Sequence, residues 1–126
     1  MPAVDTNVLV RLIRRDDAQQ TQAAERYVEK GAWISTLALA EAVWVLGSVY
    51  DANAQELARV VEMLLANGRL VIQDSEAVED ALGSFKSNPS LSFSDCLIVA
   101  LAKKTGHIPL GTFDKKLCRL PGAEKL

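Results

Sequence analysis

The sequence predicts an α/β fold in which short, mainly parallel strands alternate with helices. Three observations predict it. Short unbroken apolar runs recur at Ala3-Val4, Ala32-Trp33-Ile34 and Leu70-Val71-Ile72, each flanked by polar or turn residues. Between them lie stretches of helical spacing, clearest at Leu57, Val60, Val61, Leu64 and Leu65. Strands that alternate with helices are joined by right-handed crossovers and therefore pair in parallel. Strands that are apolar throughout also fit a sheet covered on both faces. With 126 residues, no internal repeat, no low-complexity segment and no linker, residues 1–126 are expected to form one domain.

Ala3-Val4 is the first strand, expected to be central, and Asp5 stands where it ends. Val8-Leu9-Val10 and Leu12-Ile13 continue the apolar run, with Arg11, Arg14 and Arg15 beside it. A helix from Gln19 to Lys30 turns Ala23, Ala24, Tyr27 and Val28 inward, and Gly31 ends it. After the strand Ala32–Ile34, Ser35 or Thr36 caps a helix from Leu37 to Tyr50. Asn53 and Glu56 have capping-box spacing, and Asn67-Gly68 closes the helix they open. Leu70–Ile72 is the third strand. Asp74 or Ser75 then caps a helix that buries Val78, Ala81, Leu82 and Phe85. A loop around Pro89 leads to a helix from Ser92 to Thr105, ended by Gly106. Ile108-Pro109-Leu110 is a fourth strand, weakened by a proline that cannot donate to a ladder. A short helix, Lys115–Arg119, and a final strand, Ala123–Lys125, complete the chain.

Composition narrows the function. Net charge is −2, so no global basic field points to direct DNA binding by this chain. A metal site can still supply local positive charge. The longest clean apolar run, Cys96 to Ala102, is too short to cross a bilayer, and no signal-peptide pattern precedes Asp5. Cys96 and Cys118 have neither CxxC nor zinc spacing, and they read as reduced thiols of a cytoplasmic protein.

Four acids stand out. Asp5 is the first charge of the chain, at the end of a strand, where ligands bind in open α/β sheets. It also suits a plain helix N-cap. Glu41 is the only charge between Gly31 and Asp51, with Leu37, Ala38, Trp44 and Val45 as its helical neighbours. An unpaired carboxylate on an apolar face costs several kcal/mol or shifts its pKa, which favours a function over a solvent stripe. Asp95 completes a Ser92-x-x-Asp95 capping-box pattern, and an acid in a first turn is favoured by the helix dipole. Asp114 follows the fourth strand and also suits a cap. A parallel sheet is expected to bring these positions to one edge. Two carboxylates 4 Å apart repel by about 4 kcal/mol at an effective dielectric of 20, so such a cluster makes sense around a divalent cation. Oxygen donors suit Mg²⁺ or Mn²⁺, and paired ions serve phosphoryl transfer in many nucleases.

Asp5-Thr6-Asn7-Val8-Leu9, Glu41 in its apolar helix, Phe93-Ser94-Asp95-Cys96-Leu97-Ile98 and Thr112-Phe113-Asp114-Lys115-Lys116-Leu117 resemble the signature of PIN-domain ribonucleases. More narrowly, the chain is similar over essentially its whole length to the VapC toxins of bacterial VapBC toxin–antitoxin pairs. The resemblance implies a three-layer α/β/α sandwich and Mg²⁺- or Mn²⁺-dependent cleavage of RNA. It implies Asp5, Glu41, Asp95 and Asp114 as the catalytic, metal-holding quartet. Thr6 and Asn7 would support that quartet, and Thr112 would order the fourth acid. A VapB-like antitoxin and a homodimer are implied as well. Trp44, Val45, Val49 and Tyr50, on a helix too apolar to be fully covered, point independently to a self-association face.

Other residues carry less. Arg11, Arg14, Arg15, Lys115, Lys116 and Arg119 follow Asp5 and Asp114 and are candidates for RNA phosphate contacts, although such charges commonly form a solvated face. His107, the sole histidine, falls at the strand end opposite the expected site and reads as a surface residue. Tyr27, Trp33, Trp44 and Tyr50 read as core or interface aromatics, with no indication that they stack on RNA. Two competing functions remain: a PIN-like module that binds RNA or protein without cutting, and a phosphatase or receiver domain. The latter needs a second acid close to Asp5, which Thr6-Asn7 does not supply.

Overall fold

Val4, Ile34 and Ile72 lie side by side, buried, on the inner face of a parallel sheet. A computed structural model describes residues 1–126. The fold is mixed α/β, with six α-helices and a three-stranded parallel sheet. Two compact units, Met1–Ser75 and Glu76–Leu126, make up the chain.

The first unit holds β1 (Ala3–Val4), α1 (Thr6–Arg14), α2 (Ala18–Val28), β2 (Ala32–Ile34), α3 (Thr36–Ser48), α4 (Ala54–Ala66) and β3 (Leu70–Ile72). Strand order is β1-β2-β3, all parallel. The middle of this sheet is β2, and the expectation that β1 would be central is corrected. β1 has only two residues, whereas β2 is apolar along its length and pairs on both sides. The strands alternate in burial although their sequences do not alternate in polarity. Ala3, Trp33 and Val71 share the opposite row, where Trp33 is 37% and Val71 46% exposed. Full coverage of both sheet faces is therefore not met along that row.

Each helix of this unit starts where a short polar side chain can satisfy an orphan amide. Asp17 accepts from the Gln20 amide, and Ser35 from that of Ala38. At Asn53 both bonds of the capping box form: the Glu56 amide donates to Asn53 Oδ1 at 2.8 Å, and the Asn53 amide to Glu56 Oε1 at 3.0 Å. α3 buries Ala38, Leu39, Ala42, Val43 and Leu46 and packs on α1, which buries Leu9 and Val10. Beyond α3, Tyr50 ties the two helices: Arg11 donates to its hydroxyl at 3.2 Å, and the Arg14 guanidinium lies 4.4 Å over its ring. Tyr27 and Trp44 are 55% and 65% exposed, so neither is a core aromatic.

Gly31 turns the chain from α2 into β2 at φ +106°, outside the range an L residue adopts without strain. A Cβ there would also lie 3.4 Å from the Arg69 carbonyl oxygen. Gly31→Ala is expected to lower unfolding free energy by more than about 1 kcal/mol, because the strain exceeds the entropy gained from the unfolded chain. Urea unfolding of the pair checks this; equal stability would show that the turn relaxes freely.

The second unit holds α5 (Ser75–Ser87, whose first residue closes the first unit), α6 (Phe93–Lys104), β4 (Leu110–Thr112), a short 3₁₀ turn (Leu117–Arg119) and β5 (Ala123–Lys125). α5 buries Ala77, Val78, Ala81, Leu82 and Phe85, and α6 buries Phe93, Cys96, Leu97, Val99 and Ala100. The Phe85 and Phe93 rings meet edge to face, with centroids 6.0 Å apart. β4 and β5 pair in parallel. The fourth strand begins at Leu110, two residues later than the sequence suggested. Leu110 has an amide to give and donates it to the Gly122 carbonyl at 2.7 Å; Pro109 has none and stays outside the ladder.

Candidate active site

At the carboxyl edge of the three-stranded sheet stand Asp5, Ser35 and Gln73, the residues that follow its strands. Asp5 is exposed and caps α1, accepting from the Val8 amide at 3.1 Å through Oδ1. Gln73 was not singled out from sequence; nothing in a lone glutamine after a strand marks it. Its amide oxygen accepts from the Thr36 backbone at 3.0 Å and fixes the first turn of α3.

Glu41 stands in the second turn of α3. The sequence reading placed Glu41 on an apolar face without a partner, and the structure corrects both points. Glu41 is exposed, on the outer side of α3 with Leu37 and Trp44, while the inner side is apolar. Its Oε2 accepts from the Thr6 hydroxyl at 2.8 Å. Thr6, the residue after Asp5, thus bonds an acid 35 positions away. Asn7 is exposed one residue further on.

The basic residues of α1 are engaged elsewhere. Arg11 and Arg14 pair with Asp16 and meet Tyr50, and Arg15 pairs with Glu25. The Tyr50 hydrogen bond, with help from the charge of Asp16, raises the already high pKa of Arg11. Neither Asp5 nor Glu41 is neutralised by one of these arginines. The unit contains no histidine or cysteine, so the carboxylate oxygens of Asp5 and Glu41 form a hard donor set, with the Thr6 hydroxyl bonded to Glu41. Its chemistry fits Mg²⁺ or Mn²⁺. Neither unit by itself gathers three or more acid, histidine or cysteine side chains into a metal-binding group.

In the second unit, Asp95 lies half-buried in the first turn of α6. Its amide donates to Ser92 Oγ at 3.1 Å. The reciprocal bond, from the Ser92 amide to the Asp95 carboxylate, does not form, so the capping box expected here is only half closed. The Asp95 carboxylate is not consumed by capping, unlike that of Glu56. Burial, followed by the charge of Asp95, pushes the neighbouring Cys96 thiol up to about 11. Asp114 follows β4 and is exposed. Its amide donates to Thr112 Oγ1 at 3.0 Å, and its Oδ1 accepts from the Lys116 amide at 2.9 Å. Thr112 therefore bonds the Asp114 backbone, and the Lys116 amide bonds its carboxylate. Lys115 and Lys116 are exposed, as is His107.

The model of the PIN domain family matches residues 3–123, and the chain belongs to that family. PIN domains are generally nucleases, hydrolases acting on nucleic acids, and they typically use divalent metal ions. Neither a curated protein nor a solved structure matches the chain. No helix is long and apolar enough to cross a membrane.

Proposed function

We propose that the chain is a Mg²⁺- or Mn²⁺-dependent endoribonuclease and the toxin of a type II toxin–antitoxin pair of VapBC type. One observation carries the catalytic part: within a chain matched to the PIN family, the Thr6 hydroxyl beside Asp5 holds Glu41 by a 2.8 Å bond. That bond ties the end of β1 to the second turn of α3 and selects one rotamer of Glu41. Asp5, Glu41, Asp95 and Asp114 are the proposed ligands, supported by Thr6, Asn7 and Thr112. A divalent cation held by such oxygens offsets the negative charge that builds on an attacked phosphate. Lys115 and Lys116 follow Asp114 and would contact RNA phosphates, as Arg11 and Arg14 would if released from Asp16. Incubating the chain with total RNA in Mg²⁺, and again with chelator, tests the reading. Intact RNA in both would reject cleavage and leave the alternative, a non-cleaving binding module.

We propose a homodimer as well. Leu37, Trp44 and Val49 are 69%, 65% and 62% exposed along α3 and just beyond it, while Tyr50 is occupied by Arg14. Trp44→Glu places a charge in that patch. The parent is expected to sediment as a dimer at micromolar concentration and the variant as a monomer; a monomeric parent would reject this. The partner antitoxin, in this reading, inhibits by forking an arginine onto the carboxylates, and the pair acts in the cytoplasm.

A further inference from the structure

We infer that the groove between β1, α1 and α2 seats a nucleoside of the RNA strand next to the cleaved bond; this rests on the ribonuclease reading above. The groove encloses about 630 Å³ and lies wholly within the first unit. Its volume is in the range of pockets that hold small organic ligands. Asp5 forms part of its wall, so an occupant lies directly against the first proposed acid. For a strand whose phosphate is cut at Asp5, this groove is the hollow beside the cleaved bond.

The side chains explain both the hollow and its taste. α2 presents Ala23 and Ala24 to it, and residues this small leave space open. One turn on, Tyr27 raises a ring that is 55% exposed, a large apolar surface with nothing of this chain packed over half of it. Asn7 and Gln20 add exposed amides, each with donors and an acceptor. A stacking ring with amides at its side is the equipment that reads splayed single-stranded RNA. Arg11 also reaches the wall and supplies the one positive charge there.

Three variants test this without altering an acid. Ala23→Leu plugs the groove at an exposed helical site and keeps good helix propensity. Tyr27→Ala removes the ring, and Tyr27→Phe keeps it. KM and kcat are read on a short single-stranded RNA containing a mapped cleavage site, alongside Mn²⁺ binding by each protein. The Tyr27→Ala and Ala23→Leu forms are expected to raise KM by about 5- to 150-fold, the usual weight of one stacked base. Tyr27→Phe is expected to match the parent, and all three to bind Mn²⁺ as the parent does. Replacing the adjacent nucleotide by an abasic one should penalise the parent and leave Tyr27→Ala unaffected. Parent-like KM in both Ala23→Leu and Tyr27→Ala overturns the groove and leaves the ribonuclease standing. A parent that cuts no RNA overturns the ribonuclease and the groove with it.

Discussion

Asp5→Asn is expected to abolish RNA cleavage while the protein stays folded. Asparagine caps helices about as well as aspartate, and its amide oxygen can accept from the Val8 amide as Asp5 Oδ1 does. The local structure of β1 and α1 is therefore kept, and only the charge is lost. A carboxylate that holds a catalytic cation is expected to matter by at least about a thousandfold, the upper end of what one electrostatic contact to a transition state contributes. Thr6→Val gives the internal standard. It removes the hydroxyl that orients Glu41 and nothing that holds a cation directly, so activity should fall by about 10- to 100-fold, as for outer-sphere partners of metal ligands. Cleavage rates and thermal melts of both variants decide the point. If Asp5→Asn cuts RNA at the parental rate, Asp5 is a helix cap and no more. If Thr6→Val is unaffected, the 2.8 Å bond to Glu41 is incidental.

How far the sequence could be read differs between these residues for physical reasons. β2, β3 and β5 fall where their apolar or polar runs placed them, because a three-residue strand between turn residues leaves little freedom. The Asn53–Glu56 box is local, and local hydrogen bonds are encoded in spacing. For Glu41 the apolar neighbours along its helix give the wrong environment. Helical neighbours one turn away say what could pair along α3, but its actual partner, Thr6, arrives from another helix. Exposure likewise depends on what packs against an element, so the outward stance of Glu41 was not legible from a nearly uniform apolar helix. The engagement of Arg11 and Arg14 by Tyr50 and Asp16 also required the packing of α1 on α3. The strand-end position of Asp5 needed no such knowledge, since the strand and its terminus are adjacent in sequence.

Asp95 offers the sharpest separation between a structural acid and a functional one, and Ser92 supplies the comparison. Ser92 Oγ caps α6 by accepting from the Asp95 amide. Ser92→Ala removes that bond and should cost about 0.5–2 kcal/mol. Its cost should be the same at every Mg²⁺ concentration, because the serine only caps. The Asp95 carboxylate returns no bond to the Ser92 amide, so Asp95→Asn loses no capping interaction. What it loses locally is the favourable position of a negative charge in a first turn, about 0.3–1 kcal/mol. Were Asp95 only a first-turn acid, that small cost too would be independent of Mg²⁺, and cleavage would persist. As a ligand it behaves differently. Mg²⁺ at a hundredfold excess over its dissociation constant stabilises the parent by about 2.7 kcal/mol through mass action. Asp95→Asn is expected to gain much less, so its deficit against the parent should widen steadily as Mg²⁺ is raised, while that of Ser92→Ala stays fixed. RNA cleavage should collapse in Asp95→Asn and survive in Ser92→Ala. Melting curves of the three proteins across a Mg²⁺ series, run beside a cleavage assay on total RNA, give both readouts. Parallel melting curves for Asp95→Asn and the parent, with cleavage intact, would return Asp95 to the role of a dipole-favoured first-turn acid.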